Sequence, residues 1–355
     1  MKKILSILLL AMMFCITLSA SEKIKVAIYD DAGCWREGIT AFENLLTLKN
    51  VEYSHISGAD IKDGKLSNTK YDILYIPGGM ADEYFNKMGF DGFAKIRHFV
   101  RSGGGYLGIC GGAYLASDSV IWEGKKIDAG LNLFDGTAVG SLKEIIPWDK
   151  YTMTDITVNK ANPISKYLSS KYSVLYYGGP ALYPHKNAII DTVATWDAYN
   201  NAPAIINFKY GKGRVFLSAP HPEIEENSLR DGQEFGNELT DPDSEWDILW
   251  AAVDWLAKRE ITQIPTSVVR TKNSTEQVNV NVIDGQIRFE TRSIIGSKIN
   301  ISIYNILGMK VREKQFNNTS FSKILSIKSG GLSTGVYLYI IRTSNYIFTN
   351  KFIIK

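Results

Sequence analysis

The chain has little cysteine and little histidine: three cysteines and four histidines in 355 residues. Cys15 lies inside an apolar run at the amino terminus, so only Cys34 and Cys110 remain in the rest of the chain. Two cysteines in a chain of this length cannot form a disulfide framework, so hydrophobic cores must stabilise the fold. The net charge of +3 is small and forms no basic stripe, which argues against a nucleic-acid partner.

Long apolar segments are also missing, except at the amino terminus. Lys2 and Lys3 precede an apolar run over residues 4–18, and the small residues 19–21 follow it. The run is shorter than the roughly 20 apolar residues that a membrane-spanning helix needs, which disfavours the alternative of a membrane anchor. We therefore predict a signal peptide at residues 1–20 that is cleaved on export, and no transmembrane segment elsewhere.

Strand-like and helix-like patterns alternate in the next part of the chain. Residues 23–30, 51–56 and 71–76 are strand candidates, and residues 35–48 and 90–100 have the apolar spacing of helices. This alternation predicts a parallel sheet with helices on both faces. Such sheets carry their sites at the carboxyl ends of the strands.

Residues 122–215 are richer in strand patterns, and an apolar helix over residues 245–259 follows, with Asp243 or Ser244 as its predicted cap. We predict that this helix closes an α/β domain over residues 23–260. A mostly polar segment at 261–274 is the predicted linker.

The remainder of the chain alternates apolar and polar residues with a period of two. Asp284 and Gly285 join two such segments as a tight hairpin turn, and a second hairpin is expected around Gly308. We predict a small antiparallel β-sandwich over residues 275–355.

Cys110 lies in the motif Gly-Ile-Cys-Gly-Gly, between a predicted strand and a predicted helix. A nucleophile on a sharp strand-to-helix turn needs small residues two before and two after it, and Gly108 and Gly112 stand there. The amino end of a helix also favours a thiolate. The alternative is a buried thiol that only packs.

A thiolate nucleophile needs a base, and the base needs an orienting group. His221 follows a predicted strand between Pro220 and Pro222, which prevent a helix from starting there. In extended backbone His221 and Glu223 project to the same side, so Glu223 can accept a hydrogen bond from the imidazole. A loop histidine beside a solvated glutamate is the alternative.

Glycines also end the strand before Cys110. After Pro77, the amides of Gly78 and Gly79 can point into the crevice and, with the amide of Gly111, hold a developing oxyanion. A plain turn is the alternative. We expect no metal, because His221 and Glu223 lack a third ligand at a suitable spacing. We expect no other cofactor, because neither glycine-rich segment has the lysine of a phosphate-binding loop.

The segments YIPGG, GGGYLGICGGAY and GRVFLSAPHPE together resemble the class I glutamine amidotransferase superfamily. More narrowly, residues 23–258 look like the amidotransferase-like domain at the amino terminus of some biotin–protein ligases. The resemblance implies a flavodoxin-like fold, Cys110 as nucleophile, His221 as base and Glu223 as the orienting residue. It also implies that Gly79 and Gly111 are oxyanion donors. Glutamine-hydrolysing members commonly carry glutamine four residues after the nucleophile, where this chain has Tyr114.

The carboxy-terminal region has a separate resemblance. The segments ISIYNILGMKV, LSTGVYLYIIRT and NKFIIK resemble the type A sorting domain of the type IX secretion system of Bacteroidetes. Gly308, Gly335, Tyr337 and the final residues 351–355 carry the resemblance. It implies that the type IX machinery is a partner and that the protein is secreted or attached to the outside of the outer membrane. An ordinary adhesion or carbohydrate-binding sandwich is the alternative.

These observations favour a secreted hydrolase that uses Cys110, His221 and Glu223 on a small-molecule or peptide amide or ester. A catalytically silent binding module displayed at the cell surface is the alternative, because Tyr114 departs from the family pattern and no partner enzyme domain is present. Cys34 is a bystander, a second crevice thiol or a disulfide partner of Cys110, and we favour an unpaired crevice residue. A thiol-redox role for the two cysteines is a third possibility.

Overall fold

The computed structural model describes residues 23–128, 130–226, 228, 230–240, 244–258, 279–283, 285–290, 298–305, 310–317, 324–342 and 347–354. The expected signal peptide, the expected linker, Asp243, Asp284 and Gly308 lie outside the described residues. Within the described ranges, no helix combines the length and apolarity needed to cross a membrane.

The first part of the chain forms an α/β domain. Its strands are β1 (Lys25–Tyr29), β2 (Glu52–Ile56), β3 (Ile73–Ile76), β4 (Gly105–Ile109), β5 (Ser117–Trp122), β6 (Lys125–Asp128), β7 (Phe134–Gly140), β8 (Thr152–Val158), β9 (Lys171–Tyr176), β10 (Ala181–Pro184), β11 (Asp191–Trp196), β12 (Pro203–Tyr210) and β13 (Gly213–Ser218). Its helices are α1 (Arg36–Leu48), α2 (Gly58–Lys62), α3 (Ala81–Arg101), α4 (Gly111–Ala116) and α5 (Trp246–Leu256).

The main sheet has the strand order β2-β1-β3-β4-β13-β12-β11-β8-β9. The first five strands pair in parallel, and the remaining four extend the sheet in antiparallel pairing. The parallel half therefore brings the carboxyl ends of β1, β3, β4 and β13 together at one edge. This is the edge at which parallel sheets hold their ligands.

Helices cover both faces of this sheet, as the sequence predicts. Along β1, Val26 and Ile28 belong to the core that includes α1 and α5, whereas Ala27 and Tyr29 belong to the core that includes α3 and α4. This alternation follows from the period of two along a strand. Because both faces are buried, the strand is apolar throughout rather than alternating with polar residues.

The helix that follows Cys110 is shorter than its sequence suggests. α4 ends at Ala116, and β5 begins at the next residue. β5 belongs to a second, four-stranded sheet of order β10-β7-β5-β6, which the sequence pattern did not predict. Val120, Phe134 and Leu182 of this sheet join the core beneath α3.

α3 also departs from the prediction, because it begins at Ala81 rather than near Phe90. Gly89 interrupts the helix with φ 57° and ψ −171°, so two helical segments meet at an angle there. This backbone region is accessible essentially to glycine alone. The first helical segment thereby reaches the edge of the sheet where β3 ends.

The carboxy-terminal region is an antiparallel β-sandwich, which confirms the predicted class. Its strands are β14 (Asn279–Ile283), β15 (Gln286–Glu290), β16 (Lys298–Asn305), β17 (Lys310–Asn317), β18 (Ile324–Lys328), β19 (Gly335–Arg342) and β20 (Ile347–Ile354). One sheet has the order β14-β15-β18 and the other β17-β16-β19-β20. Phe289, Leu325, Ile301 and Tyr339 from the two sheets share one core.

Candidate active site

Cys110 stands between β4 and α4 in a backbone conformation that few residues adopt, with φ 46° and ψ −100°. Conformations of this kind cost about 1–3 kcal/mol and persist only where the surroundings impose them. The close backbone contacts at the neighbouring glycines show how the surroundings impose this conformation on Cys110. A Cβ on Gly108 would lie 2.7 Å from the carbonyl oxygen of Gly112, and one on Gly112 would lie 2.3 Å from that of Ile76.

The Cys110 side chain is 7% exposed, and its Sγ lies 3.5 Å from the carbonyl oxygen of Tyr177. α4 contains only six residues, so the expected assistance from a helix dipole is weaker than the sequence suggested. Positive charge near the sulfur must come mainly from a side chain.

His221 provides that side chain from the loop after β13, which is parallel to β4. Its Nδ1 lies 2.8 Å from Oε1 of Glu223, and both side chains are buried. The Nε2 atom has no hydrogen-bond partner among the described residues. The indole of Trp35 packs edge-on against the imidazole, with 4.7 Å between ring centroids.

The protonation of His221 depends on two opposing effects. Burial disfavours the imidazolium, but the negative charge of Glu223 and that of Cys110 outweigh it and raise the pKa of His221 to about 10. The hydrogen bond to Glu223 acts in the same direction. The imidazole of His221 is therefore protonated at neutral pH.

Glu223 is fixed from several sides. The indole N–H of Trp246 donates to its main-chain carbonyl over 2.9 Å. Its Oε2 has no hydrogen-bond partner within the described part of the chain, and its Oε1 would lie 3.0 Å from a Cβ on Gly38. The Glu223 carboxylate is therefore enclosed by the protein, and the His221 imidazole is its hydrogen-bond partner.

Gly78, Gly79 and Gly111 form a corner beside the thiol. A Cβ on Gly78 would lie 2.6 Å from Cε1 of His221, and one on Gly111 would lie 2.4 Å from the carbonyl oxygen of Gly79. Gly79 has φ 136°, and a Cβ there would lie 2.1 Å from the carbonyl oxygen of Gly33. A residue larger than glycine would displace the His221 ring at Gly78 and the backbone at Gly79 and Gly111.

The loop that contains Gly79 is tied to the loop after β1. The Trp35 amide donates to the Gly78 carbonyl and the Met80 amide donates to the Gly33 carbonyl, both over 2.9 Å. These two hydrogen bonds flank Cys34 and Gly79, which form an isolated antiparallel bridge. Within the described residues, no main-chain carbonyl accepts the amide hydrogen of Gly79 or of Gly111.

Tyr114 is buried, and its hydroxyl donates to the Gly178 carbonyl over 2.9 Å. Burial and the nearby charge of Cys110 raise the pKa of Tyr114 well above its ordinary value. Gly178 follows Tyr177, the residue whose carbonyl contacts the Cys110 thiol. Tyr114 therefore holds this segment in place next to the sulfur.

A cavity of about 810 Å³ opens in front of these residues. Cys110, His221, Gly79, Tyr114 and Cys34 all line it. These residues follow four different strands, β1, β3, β4 and β13, and the fold brings them to one edge of the sheet.

Cys34 is not paired with Cys110, since both cysteines are free. Its Sγ contacts the Tyr29 carbonyl at 3.6 Å, and burial raises the pKa of the Cys34 thiol to about 11. It is a crevice residue that stays a neutral thiol at neutral pH.

The remaining histidines lie elsewhere. His55 is exposed and contacts Asp30 and Glu43, each at 2.6 Å. His98 is exposed on α3, and His185 contacts Asp135 at 2.8 Å. Of the described histidines, His221 is the one that lines the cavity.

Sequence reasoning missed an aromatic cluster that covers one side of His221, formed by Trp35, Tyr151, Tyr177 and Phe235. Trp35 and Phe235 pack edge-on at 4.9 Å, and Tyr151 and Phe235 lie 4.4 Å apart. These residues come from separate segments with no shared spacing, so no local pattern could have grouped them.

Comparison with known families gives two matches along the chain. The family described as "Biotin-protein ligase, N terminal" matches residues 24–246, and the "Secretion system C-terminal sorting domain" matches residues 274–355. The second match shows that the chain carries a type IX sorting domain. The protein is therefore secreted or displayed at the cell surface, with the type IX machinery handling its export.

Two curated relatives and one solved structure extend this picture. The chain is 30% identical over 164 residues to a biotin–protein ligase of Schizosaccharomyces pombe, covering 43% of this chain and 25% of that relative. It is 28% identical over 182 residues to an uncharacterised protein of Chlamydia muridarum, covering 49% and 68%. A glutamine amidotransferase from Thermotoga maritima aligns at 11% identity and a TM-score of 0.45, covering 66% of this chain and 98% of that structure.

The chain thus spans about a quarter of the length of the S. pombe relative, at 25%. The match to this region therefore does not assign the activity of the whole S. pombe protein to this chain. The match to the family described as "Biotin-protein ligase, N terminal", over residues 24–246, covers more than half of this chain. The chain belongs to the biotin–protein ligase N-terminal domain family.

Proposed function

We propose that this protein is a secreted hydrolase in which Cys110 attacks the carbonyl carbon of an amide or ester. The observation that carries the proposal is the buried His221–Glu223 pair, 2.8 Å apart, whose histidine lines the same cavity as a cysteine in a strained backbone conformation. A buried imidazole with one nitrogen held by a carboxylate and the other unpartnered is suited to proton transfer.

The raised pKa of His221 sets the order of events. The proton starts on the imidazole and Cys110 attacks as the thiolate, forming the bond between sulfur and the carbonyl carbon. The tetrahedral intermediate collapses, the bond to the amine or alcohol breaks, and the leaving group takes the proton from His221. A water then gives a proton back to His221 and attacks the thioester, which releases a carboxylic acid and restores the thiolate.

The glycine corner supplies the stabilisation of the oxyanion in this proposal. The amides of Gly79 and Gly111 are available as donors, and Gly111 directly follows the nucleophile. Donors fixed in advance in a site closed to water stabilise developing charge without reorganising. Gly78 contributes by letting the His221 ring approach the backbone.

Tyr114 argues against glutamine as the substrate. Its hydroxyl hydrogen is committed to Gly178, so the donor is not available to a substrate amide. We therefore assign a substrate-lining and positioning role to Tyr114.

Site-resolved alkylation of the full chain tests the nucleophile. With iodoacetamide between pH 6 and pH 9, Cys110 should react faster near pH 7 than a model thiol, while Cys34 serves as an internal control. A Cys110 that reacts no faster than the model thiol near pH 7 contradicts the proposal.

A catalytically silent binding module is the second candidate, and one observation favours it: the Cys110 thiol is only 7% exposed and contacts the Tyr177 carbonyl. Cys110→Ala separates the two functions. Loss of turnover of ester and amide probes supports the hydrolase, and an unchanged biological output of the secreted protein supports the binding module.

We also propose that residues 1–20 are removed during export and that the sorting domain directs secretion or attachment. Intact-mass measurement of the secreted protein tests the removal of residues 1–20 and shows whether the sorting domain is retained. The same measurement with peptide mapping detects a Cys34–Cys110 disulfide, which would favour a redox role instead.

A further inference from the structure

The cavity in front of Cys110 is unusually poor in charge. Among its described lining residues, Asp82 is the one carboxylate and Asn86 the one amide, and no lysine or arginine is present. Asp82 and Asn86 are both exposed, so they lie towards the solvent side of the cavity.

This composition disfavours a free amino acid. The carboxylate of such a ligand would leave water without a lysine or arginine to receive it, since the charge of His221 is already paired with Glu223, and Asp82 would repel it. A buried charge without a partner is costly, so the cavity discriminates against anionic ligands.

Aromatic side chains instead form the walls. Tyr114, Trp122 and Trp148 follow one another in edge-on packing, with centroids 5.6 Å apart at each step. Phe85 and Phe90 of α3 form a second edge-on pair at 5.2 Å. The kink at Gly89 lies between these two phenylalanines in sequence.

The rim of the cavity is apolar as well. The four lining residues Met80, Phe90, Ile127 and Trp148 expose 51%, 70%, 52% and 46% of their surface. Large apolar side chains left in water around one concave site mark a surface that gains free energy when a ligand covers it. Phe90 follows the kink directly, and Ile127 belongs to the second sheet.

We propose that this cavity receives an uncharged apolar group, aromatic or branched aliphatic, attached to the carbonyl that Cys110 attacks. The inference deepens the proposed hydrolase and rests on it. It identifies the substrate class as hydrophobic esters or amides rather than amino acids. The acyl carbon forms its bond to the Cys110 sulfur while the bond to the alcohol or amine breaks, and His221 supplies the proton to the leaving group.

Alkylating reagents that differ only in their side group test the inference. Iodoacetamide, N-phenethyl iodoacetamide and iodoacetate are reacted with the full chain, and each Cys110 rate is divided by the rate of the same reagent with free N-acetylcysteine. The phenethyl reagent should show saturation and a normalised rate at least tenfold above that of iodoacetamide. Iodoacetate should be the slowest after normalisation.

Equal normalised rates for the phenethyl reagent and iodoacetamide overturn the pocket assignment even if Cys110 is reactive. The proposed function fails in a different way, with iodoacetamide itself reacting no faster than it does with the free thiol. Protection of Cys110 by unreactive N-phenethylacetamide measures pocket binding independently of thiol reactivity.

Phe90→Asp should remove most of the tenfold preference, measured as the ratio of the phenethyl rate to the iodoacetamide rate in the same variant. Ile189→Asp is the matched control, because Ile189 is 93% exposed and does not line the cavity. Trp148→Ser provides a second rim variant should Phe90→Asp fail to fold. A preference that survives in both folded rim variants contradicts the inference.

Discussion

The two domains bury different kinds of side chain. In the α/β domain, His221, Glu223, Glu225 and Asp231 are all nearly inaccessible to water. In the described part of the sandwich, the buried polar side chains are Ser302 and Ser329. Ionisable groups are rarely buried unless paired or functional, so the candidates for chemistry lie in the first domain and not in the described part of the sandwich.

The largest expected effect concerns the nucleophile. Cys110→Ala should reduce release of product from ester and amide probes by at least about 1000-fold, because no other thiolate replaces the sulfur. Cys34→Ala is the matched control and should retain most of the activity. Comparable turnover in the Cys110→Ala protein would show that Cys110 is not the nucleophile.

A mutation in the core of the sandwich should lower the stability of that domain and leave the chemistry of the α/β domain unchanged. Phe289 is fully buried against Tyr339 and Phe352, so Phe289→Ala should lower the free energy of unfolding of this domain by about 3–5 kcal/mol. The alkylation rate of Cys110 should not change. Ile283→Ala, at a position 46% exposed on the same sheet, should have a small effect in urea unfolding. A slower reaction at Cys110 would show that the two regions are not independent.

The next effect concerns the orientation of the imidazole. Glu223→Gln keeps the shape of the side chain but removes the negative charge that raises the pKa of His221. We expect the Cys110 alkylation rate at pH 7 to fall by about 100-fold, within the range of a lost acid–base partner. Glu144→Gln, at an exposed position, controls for the change of charge. NMR titration of the imidazole should show a lower pKa, and an unchanged pKa would contradict the assignment.

The same histidine makes stability depend on pH. The pKa of His221 is raised from 6.5 to about 10, so its contribution is complete below pH 6.5 and is lost as pH rises towards 10. Over that window the free energy of unfolding of the α/β domain should fall by up to about 1.4 kcal/mol per pH unit. His221→Asn should flatten the curve, whereas the sandwich should show no such slope. Identical curves for the wild type and the variant would contradict the raised pKa.

The smallest expected effect is the difference in stability loss between two glycine-to-alanine variants, one in each domain. Gly285 has φ 66°, and no described atom lies within 4 Å of the point where a Cβ would stand, so Gly285→Ala should cost only the backbone penalty of about 1–2 kcal/mol. Gly79→Ala should cost more, because the methyl group would also overlap the Gly33 carbonyl. Thermal unfolding of the two variants measures the difference. A smaller loss at Gly79 would mean that its loop adjusts freely.

The sequence allowed prediction of the parallel half of the main sheet, because its strands are apolar runs separated by helical spacing. It also predicted that His221 and Glu223 project to the same side, and they are in contact at 2.8 Å. The expected extended backbone is wrong, because residues 221–224 form a turn in which the Ile224 amide donates to the His221 carbonyl. The chemical roles of His221 and Glu223 remain a prediction. The glycine spacing around Cys110 likewise indicated the sharp turn.

The second sheet could not be predicted, because β5 begins immediately after a six-residue helix and no turn residue separates them. The apolar cavity was also hidden, since Phe90, Trp122 and Trp148 are far apart in sequence and meet only through tertiary packing. Propensity and periodicity describe local structure, and they carry no information about which distant surfaces meet.

The two hydrogen bonds that join the loops after β1 and β3 have a consequence for evolution. They hold the glycine corner against the loop after β1. Phe90 and Ile127 lie on α3 and β6 and take no part in these two hydrogen bonds. Substitutions at the rim can therefore change which molecules enter without disturbing the atoms that would react. A scaffold divided in this way can diversify its choice of substrate while keeping one set of chemical groups.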